Sequence, residues 1–223
     1  MTNNNTDNLI SRLKSSIIYN YIILIIALFI MAFGVALSVI SDLGTTPISC
    51  IPNVLKYAIP LSLGTITIIF NFLLIVLQVI ILRSDFDRKQ WMQLVVTIIF
   101  GYFIDFALYL LEGIVNPTTY LSRWIVCIVS TFIIAFGVYL EVKSNAIVLP
   151  GEGVSLAVRY KTKKDFGTLK TLFDTSNVVI GVILSLALYG SFRGIGLGTI
   201  YAGIVVGYIV RFYRKVIEKY FYS

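Results

Sequence analysis

Asn71, Asp105, Asp174 and Asn177 stand inside long apolar stretches of this 223-residue chain, and any chemistry has to be sought first among them. A carboxylate or carboxamide at bilayer depth is costly unless paired, hydrated or protonated. Such groups therefore mark solute sites, ion sites or hydrogen bonds between helices. Asp105 lies thirteen residues into its apolar segment, about 20 Å along a helix at ~1.5 Å per residue. It is the sharpest single candidate, as a solute or proton-coupling group facing the bundle interior, as a partner in an interhelical hydrogen bond, or as a carboxylate near a tilted helix end. Asn177 follows Asp174 by three positions and shares its helix face. These four are the candidate substrate-binding residues.

A second set interrupts helices. Asp42, Gly44 and Pro47 in SDLGTTP, and Asn145, Pro150 and Glu152 in SNAIVLPGEG, end one helix and start a short one. A new N-terminus leaves backbone N–H groups unpaired, which suits an anionic or polar ligand group. Glu152 is placed to cap its own helix or to meet a cation. Irregular backbone at membrane depth survives only where protein or water surrounds it, so these six residues are read as gates or re-entrant segments, or else as interfacial turns.

The elements that must position them are apolar helices. Hydrophobic residues make up 58% of the chain, charged residues 13%, and mean hydropathy is +0.91, the composition of a multi-pass membrane protein. Spans are predicted over Ile17 to Ser41, Gly64 to Leu82, Met92 to Leu111, Trp124 to Val142, Leu169 to Gly190 and Gly196 to Phe212. Pro47 to Ile59 and Glu152 to Thr162 are too short to cross and hold Pro or charges.

Composition also excludes chemistries. With no His there is no His-based proton relay, Ser-His-Asp triad or His-ligated zinc site. Cys50 and Cys127 are the only thiols, too few for a disulfide framework or a Cys-rich metal centre. No phosphate-binding G-x-x-x-x-G-K-[ST] loop occurs. Neither cofactor nor metal is expected, nor an enzyme. The net charge of +7 reads as topology signals and attraction to anionic lipid, with no nucleic-acid partner.

The chain is duplicated. Ala32 to Asn71 aligns without a gap to Ala135 to Asp174, 103 positions on, with twelve of forty residues identical. The repeats occupy residues 17–111 and 122–214, between a polar N-terminal tail, 1–16, and a basic-aromatic C-terminal tail, 215–223. With six spans and an inner N-terminus, fifteen Lys and Arg fall inside, while Lys56, Arg123 and Arg193 fall outside. That bias predicts cytoplasmic termini in a plasma membrane. Three spans per half then make the repeats inverted, each carrying one short helix. Later in the chain GYFIDF is echoed by GYIVRF, setting Asp105 against Arg211 at opposite membrane faces. Gly203 and Gly207 form a small-residue pair for packing within the chain or in a homodimer.

ALSVISDLGTTPISCIPNVL and the later LPGEGVSLAV and KDFGTLKTLFDTSNVVIG resemble the YczE/YyaS/YitT-type bacterial integral membrane proteins, most closely the YczE-like branch. The resemblance implies a bacterial multi-pass plasma-membrane protein and supplies no substrate, reaction or site residue. The residues themselves suggest a transporter or binder of a small polar solute, with a coupling ion, working by alternating access. The alternative is a non-transporting scaffold, sensor or assembly factor.

Overall fold

The computed structural model describes the backbone of residues 3–221 and the side chains of residues 16–217. Among the described residues every regular element is helical. In order they are α1 (Asn3–Ile40), α2 (Pro47–Leu55), α3 (Leu63–Leu82), α4 (Met92–Leu111), α5 (Tyr120–Ser144), α6 (Pro150–Thr162), α7 (Phe166–Tyr189) and α8 (Leu197–Phe221). Two 3-10 turns, Arg83–Asp85 and Arg88–Trp91, join α3 to α4.

Local sequence sets the ends of these helices. Pro47 and Pro150 open α2 and α6, where a missing N–H costs nothing. Ser62 and Asp165 are separated by 103 positions, and their side chains cap α3 and α7 by accepting the N–H of Thr65 and Thr168, which are 103 apart as well. Thr119 and Ser122 form a capping box at α5. Asp42 after α1 and Asn145 after α5 adopt the left-handed conformation, with φ of 55° and 49°. Short polar side chains tolerate that backbone best.

Five helices are long and apolar enough to cross a membrane: Ser16–Ile40, Leu63–Asp85, Arg88–Leu111, Tyr120–Ser144 and Phe166–Tyr189. They match five of the six expected spans to within a few residues. The sixth, α8, falls outside this set, because Arg211 and Arg214 interrupt its apolar run. The expected polar tail is continuous with α1, which is helical from Asn3. The side chains of Arg12, Lys14 and Lys219, counted in the inner charge set, lie outside the described residues. Ile80, Ile183 and Ile204 are each at least 60% exposed on the outside of the bundle. Water would penalise that surface and lipid would not. The chain is a multi-pass helical membrane protein.

Antiparallel α1 and α5 form the centre. A methyl group on Gly34 would come within 2.5 Å of Ile134 Cγ1, while one on Gly137 would strike Met31. Gly34 and Gly137 are repeat equivalents, as are Met31 and Ile134, so each helix presents the same notch to the same knob of the other. Leu24, Leu28, Met31, Val35 and Val39 of α1 pack with Val96, Phe100 and Ile104 of α4 to build the main core. Further out, α8 flanks α5 as α4 flanks α1. The short helices cross over between the halves, α2 packing on α7 and α6 on α3.

Candidate functional site

The turn between α5 and α6 holds the most unusual polar group. Glu141, in the last turn of α5, is 2% exposed. Its Oε1 accepts the N–H of Leu149, the residue capping α6, at 2.8 Å. That bond fastens the start of α6 to the end of α5. Its Oε2 is buried without a partner, and so is Oε2 of Glu152 in the first turn of α6. The two carboxylates act on each other electrostatically, and the charge of Lys170 on α7 reaches both. Lys170 is itself committed to Asp174, 2.6 Å away, one turn along the same helix.

Neutral amides seat α6. Gln78 of α3 and Gln93 of α4 exchange two amide hydrogen bonds of 3.0 and 3.2 Å, and Gln78 Nε2 also donates to the Pro150 carbonyl. Gly153 makes room for this: a methyl group there would sit 2.5 Å from Gln78 Oε1. The repeat equivalents reverse the arrangement, since Cys50 of α2 fills the space left by Gly181 of α7, its sulfur 3.0 Å from where a methyl group would be. Between the two crossings the short helices touch at Ile48 and Gly151, themselves repeat equivalents. The N-terminal turns of α2 and α6 therefore lie against one another. Most of α2 is buried, Pro47 and Ser49 to Val54 included. Its surroundings are therefore protein.

The equivalent turn after α1 is chemically milder. Ser38 stands where the other half has Glu141, and Ser49, hydrogen-bonded to Thr46, stands where it has Glu152. Asp42 reaches across to Arg123 at 3.1 Å on the exposed end. Here a cavity of about 370 Å³ opens, lined by Asp42, Gly44, Asn53, Tyr57, Arg193 and Gly194 among others. Asn53 donates to the Gly194 carbonyl at 2.6 Å, leaving its own Oδ1 buried and unpartnered. The Arg193 guanidinium lies over Tyr57 and Tyr189 at 5.1 and 5.6 Å. Burial lowers the Lys56 ammonium below its ordinary pKa and raises the Tyr57 phenol above its own.

The predicted site residues fall into separate places. Asp105 spans α3 and α4: its carboxylate accepts Ser62 Oγ–H at 2.5 Å and the Gly64 N–H at 2.7 Å, both at the start of α3. No salt bridge joins it to Arg211. Asn71 is buried within α3. The Asn177 side chain donates to the Phe173 carbonyl, and the Asn177 backbone carbonyl accepts Cys50 Sγ–H. Asp174 joins the neighbourhood of Glu152. Of the interrupting residues, Asp42 and Gly44 line the cavity, and Pro47, Pro150 and Glu152 lie where the short helices start. Gly203 packs inside the chain, where a methyl group would lie 3.0 Å from Pro47, whereas Gly207 faces open space.

Sequence reasoning missed Glu141, Gln78 and Gln93. Gln78 and Gln93 sit near span ends, where amides read as interfacial, and Glu141 is two positions from Lys143 in what reads as a helix end. The available signal was that the second repeat places Glu at two positions occupied by Ser in the first. No group of three or more His, Cys, Asp or Glu among the described residues is arranged to hold a metal ion.

The sequence profile of a family of unknown function (DUF6198) matches residues 18–215. Among curated proteins, the chain is 23% identical over 199 residues to the uncharacterized protein YyaS of Bacillus subtilis (strain 168), covering 89% of this chain and 94% of that one. It is 22% identical over 197 residues to an uncharacterized protein of Haemophilus influenzae, covering 88% and 84%. No solved structure matches.

Proposed function

The chain belongs to the DUF6198 family of unknown function as a YyaS-like member, and we propose that it carries a small polar solute across the bacterial plasma membrane by alternating access. In this reading α8 is the sixth span, the two repeats are inverted, and α2 and α6 are re-entrant helices entering from opposite faces with their N-termini at the midplane. The termini are cytoplasmic. The solute contacts the central groups, Asn71, Asp174, Asn177 and the starts of the short helices, while Asp105 closes the outer half.

One observation carries the reading: equivalent helix pairs are closed in one half and parted in the other. Along α3 and α4 the backbones meet, with a methyl group on Gly101 coming 2.5 Å from Ile68 and one on Gly64 striking the Gly101 carbonyl. In the second half α7 and α8 barely touch, and Gly207, which the GYFIDF and GYIVRF correspondence sets against Gly101, has nothing within 4 Å of a methyl position. Two nearly equivalent halves in unlike conformations can exchange them. In the exchanged state Arg211 would approach Asp165, the α7 cap, as Asp105 now approaches Ser62, the α3 cap.

Cysteines at Gly167 and Arg211, introduced after replacing Cys50 and Cys127, test this in native membranes. A disulfide forming between them, despite the parting of α7 from α8, is the expected result. Its absence under oxidants that cross-link a Gly64 and Asp105 cysteine pair would leave a scaffold, sensor or assembly factor as the better reading. Separately, thiol labelling of Asp42→Cys and Asn145→Cys from the same side of the membrane would sink the inverted topology.

A further inference from the structure

We propose that Glu141 and Glu152 hold one exchangeable proton between them and that this pair is the coupling-ion site. The assignment of the proton to coupling rests on the transport reading above; the shared proton itself does not.

Each carboxylate has a buried Oε2 with no donor; Glu141 is bonded through Oε1 to the residue capping α6, whose first turn carries Glu152, and each group bears on the other electrostatically. Two bare anions side by side are unfavourable here, because the charged forms repel and the Glu141 carboxylate is buried away from water. A single proton placed between them satisfies both at once, one group donating and the other accepting. Among the described residues no salt bridge reaches either carboxylate. On α7, Lys170 is engaged by Asp174 at 2.6 Å, so that pair is neutral as a whole. The groups that α3 and α4 bring to the start of α6 are the uncharged Gln78 and Gln93, bonded to each other. Lys143, next along α5, lies over the Tyr139 ring.

The placement suits exchange. Glu141 belongs to the long helix α5 and Glu152 to the short helix α6, so a shift of α6 separates the carboxylates and frees the proton. The other turn carries Ser38 and Ser49 at these positions, which hold no exchangeable charge at neutral pH. Only one of the two related turns is therefore ion-coupled.

Infrared spectroscopy of the purified full-length protein in liposomes tests this. At pH 7, in sodium-free choline buffer, the spectrum should contain one protonated carboxylic acid C=O stretch per chain. The stretch should disappear in the E141Q/E152Q double variant and persist in D105N and D174N. It should also fade as pH is raised, while Glu141 or Glu152 loses its reactivity toward dicyclohexylcarbodiimide in step. No carboxylic acid stretch at pH 7 would overturn the proposal, as would one that survives the double substitution. Loss of the stretch on adding sodium at constant pH and ionic strength would show that the pair is a sodium site and overturn the assignment to a proton. A shared proton in a protein whose Gly167 and Arg211 cysteines never cross-link would leave the pair standing and remove only its coupling role.

Discussion

Replacing Asp105 with alanine removes the carboxylate that joins α4 to the start of α3. The Gly64 N–H it accepts at 2.7 Å is among the first N–H groups of α3, which have no partner within the helix. Losing a charge-assisted bond to such a group costs about 1.5–3 kcal/mol. The Ser62 hydroxyl is exposed and can turn to solvent, so its bond adds little, and the whole change is about 2 kcal/mol. For a chain of this size that is a fall of about 4–8 °C in Tm. Asp105→Asn keeps an acceptor for Gly64 and should lose about half as much. The chain supplies its own probe: Cys50 and Cys127 are both buried, so a thiol-reactive dye reports unfolding in detergent without any label being introduced. If Asp105→Ala melts within about 1 °C of the parent, below the resolution of a 1 kcal/mol effect, the carboxylate is not holding α3 to α4 and its role as a closing contact is refuted.

Three further outcomes are expected. Gly101→Val should destabilise by about 1–3 kcal/mol through overpacking against Ile68, whereas Gly207→Val should leave Tm nearly unchanged and yet suppress the Gly167 and Arg211 cross-link; equal Tm losses would show that α7 already packs on α8. Gln78→Leu strands the Gln93 amide and the Pro150 carbonyl, costing about 1–3 kcal/mol by dye-monitored melting, and an unaffected melt would mean that water replaces the amide. The Asp165 carboxylate is held below the ordinary aspartate range, first by the Thr168 N–H. Its contribution is therefore complete above the usual aspartate pKa of about 3.9 and is lost as pH falls through the lower, folded-state value. Thr168 amide protection in hydrogen exchange should drop across that acid window in the parent, and Asp165→Asn should abolish the dependence.

Much was legible along the chain because lipid imposes a local rule. A segment that crosses a bilayer must be a helix with an apolar exterior, so five spans could be bounded to within a few residues, and duplication was visible as a direct match of Ala32 to Asn71 with Ala135 to Asp174. The interrupted segments were legible for a similar reason: Pro47 and Pro150 can only begin a helix there. Polar residues behaved differently. Asp105 looked like a site residue by depth alone, but a carboxylate's role depends on what faces it, and it faces a helix N-terminus. Asp174 acquired Lys170 one turn away on its own helix, a partner its spacing already allowed.

What the sequence by itself determined is a membrane-embedded, duplicated chain of apolar helices with two broken segments, since length, hydropathy and repetition are properties of the strand of residues. Only the tertiary structure decided that the short helices cross to the opposite halves, that α3 closes on α4 while α7 stands away from α8, and that Glu141 meets Glu152. Those outcomes depend on which surfaces pack together in three dimensions, through notches such as Gly34, Gly153 and Gly181, and shape complementarity of that kind leaves no periodic trace in the sequence.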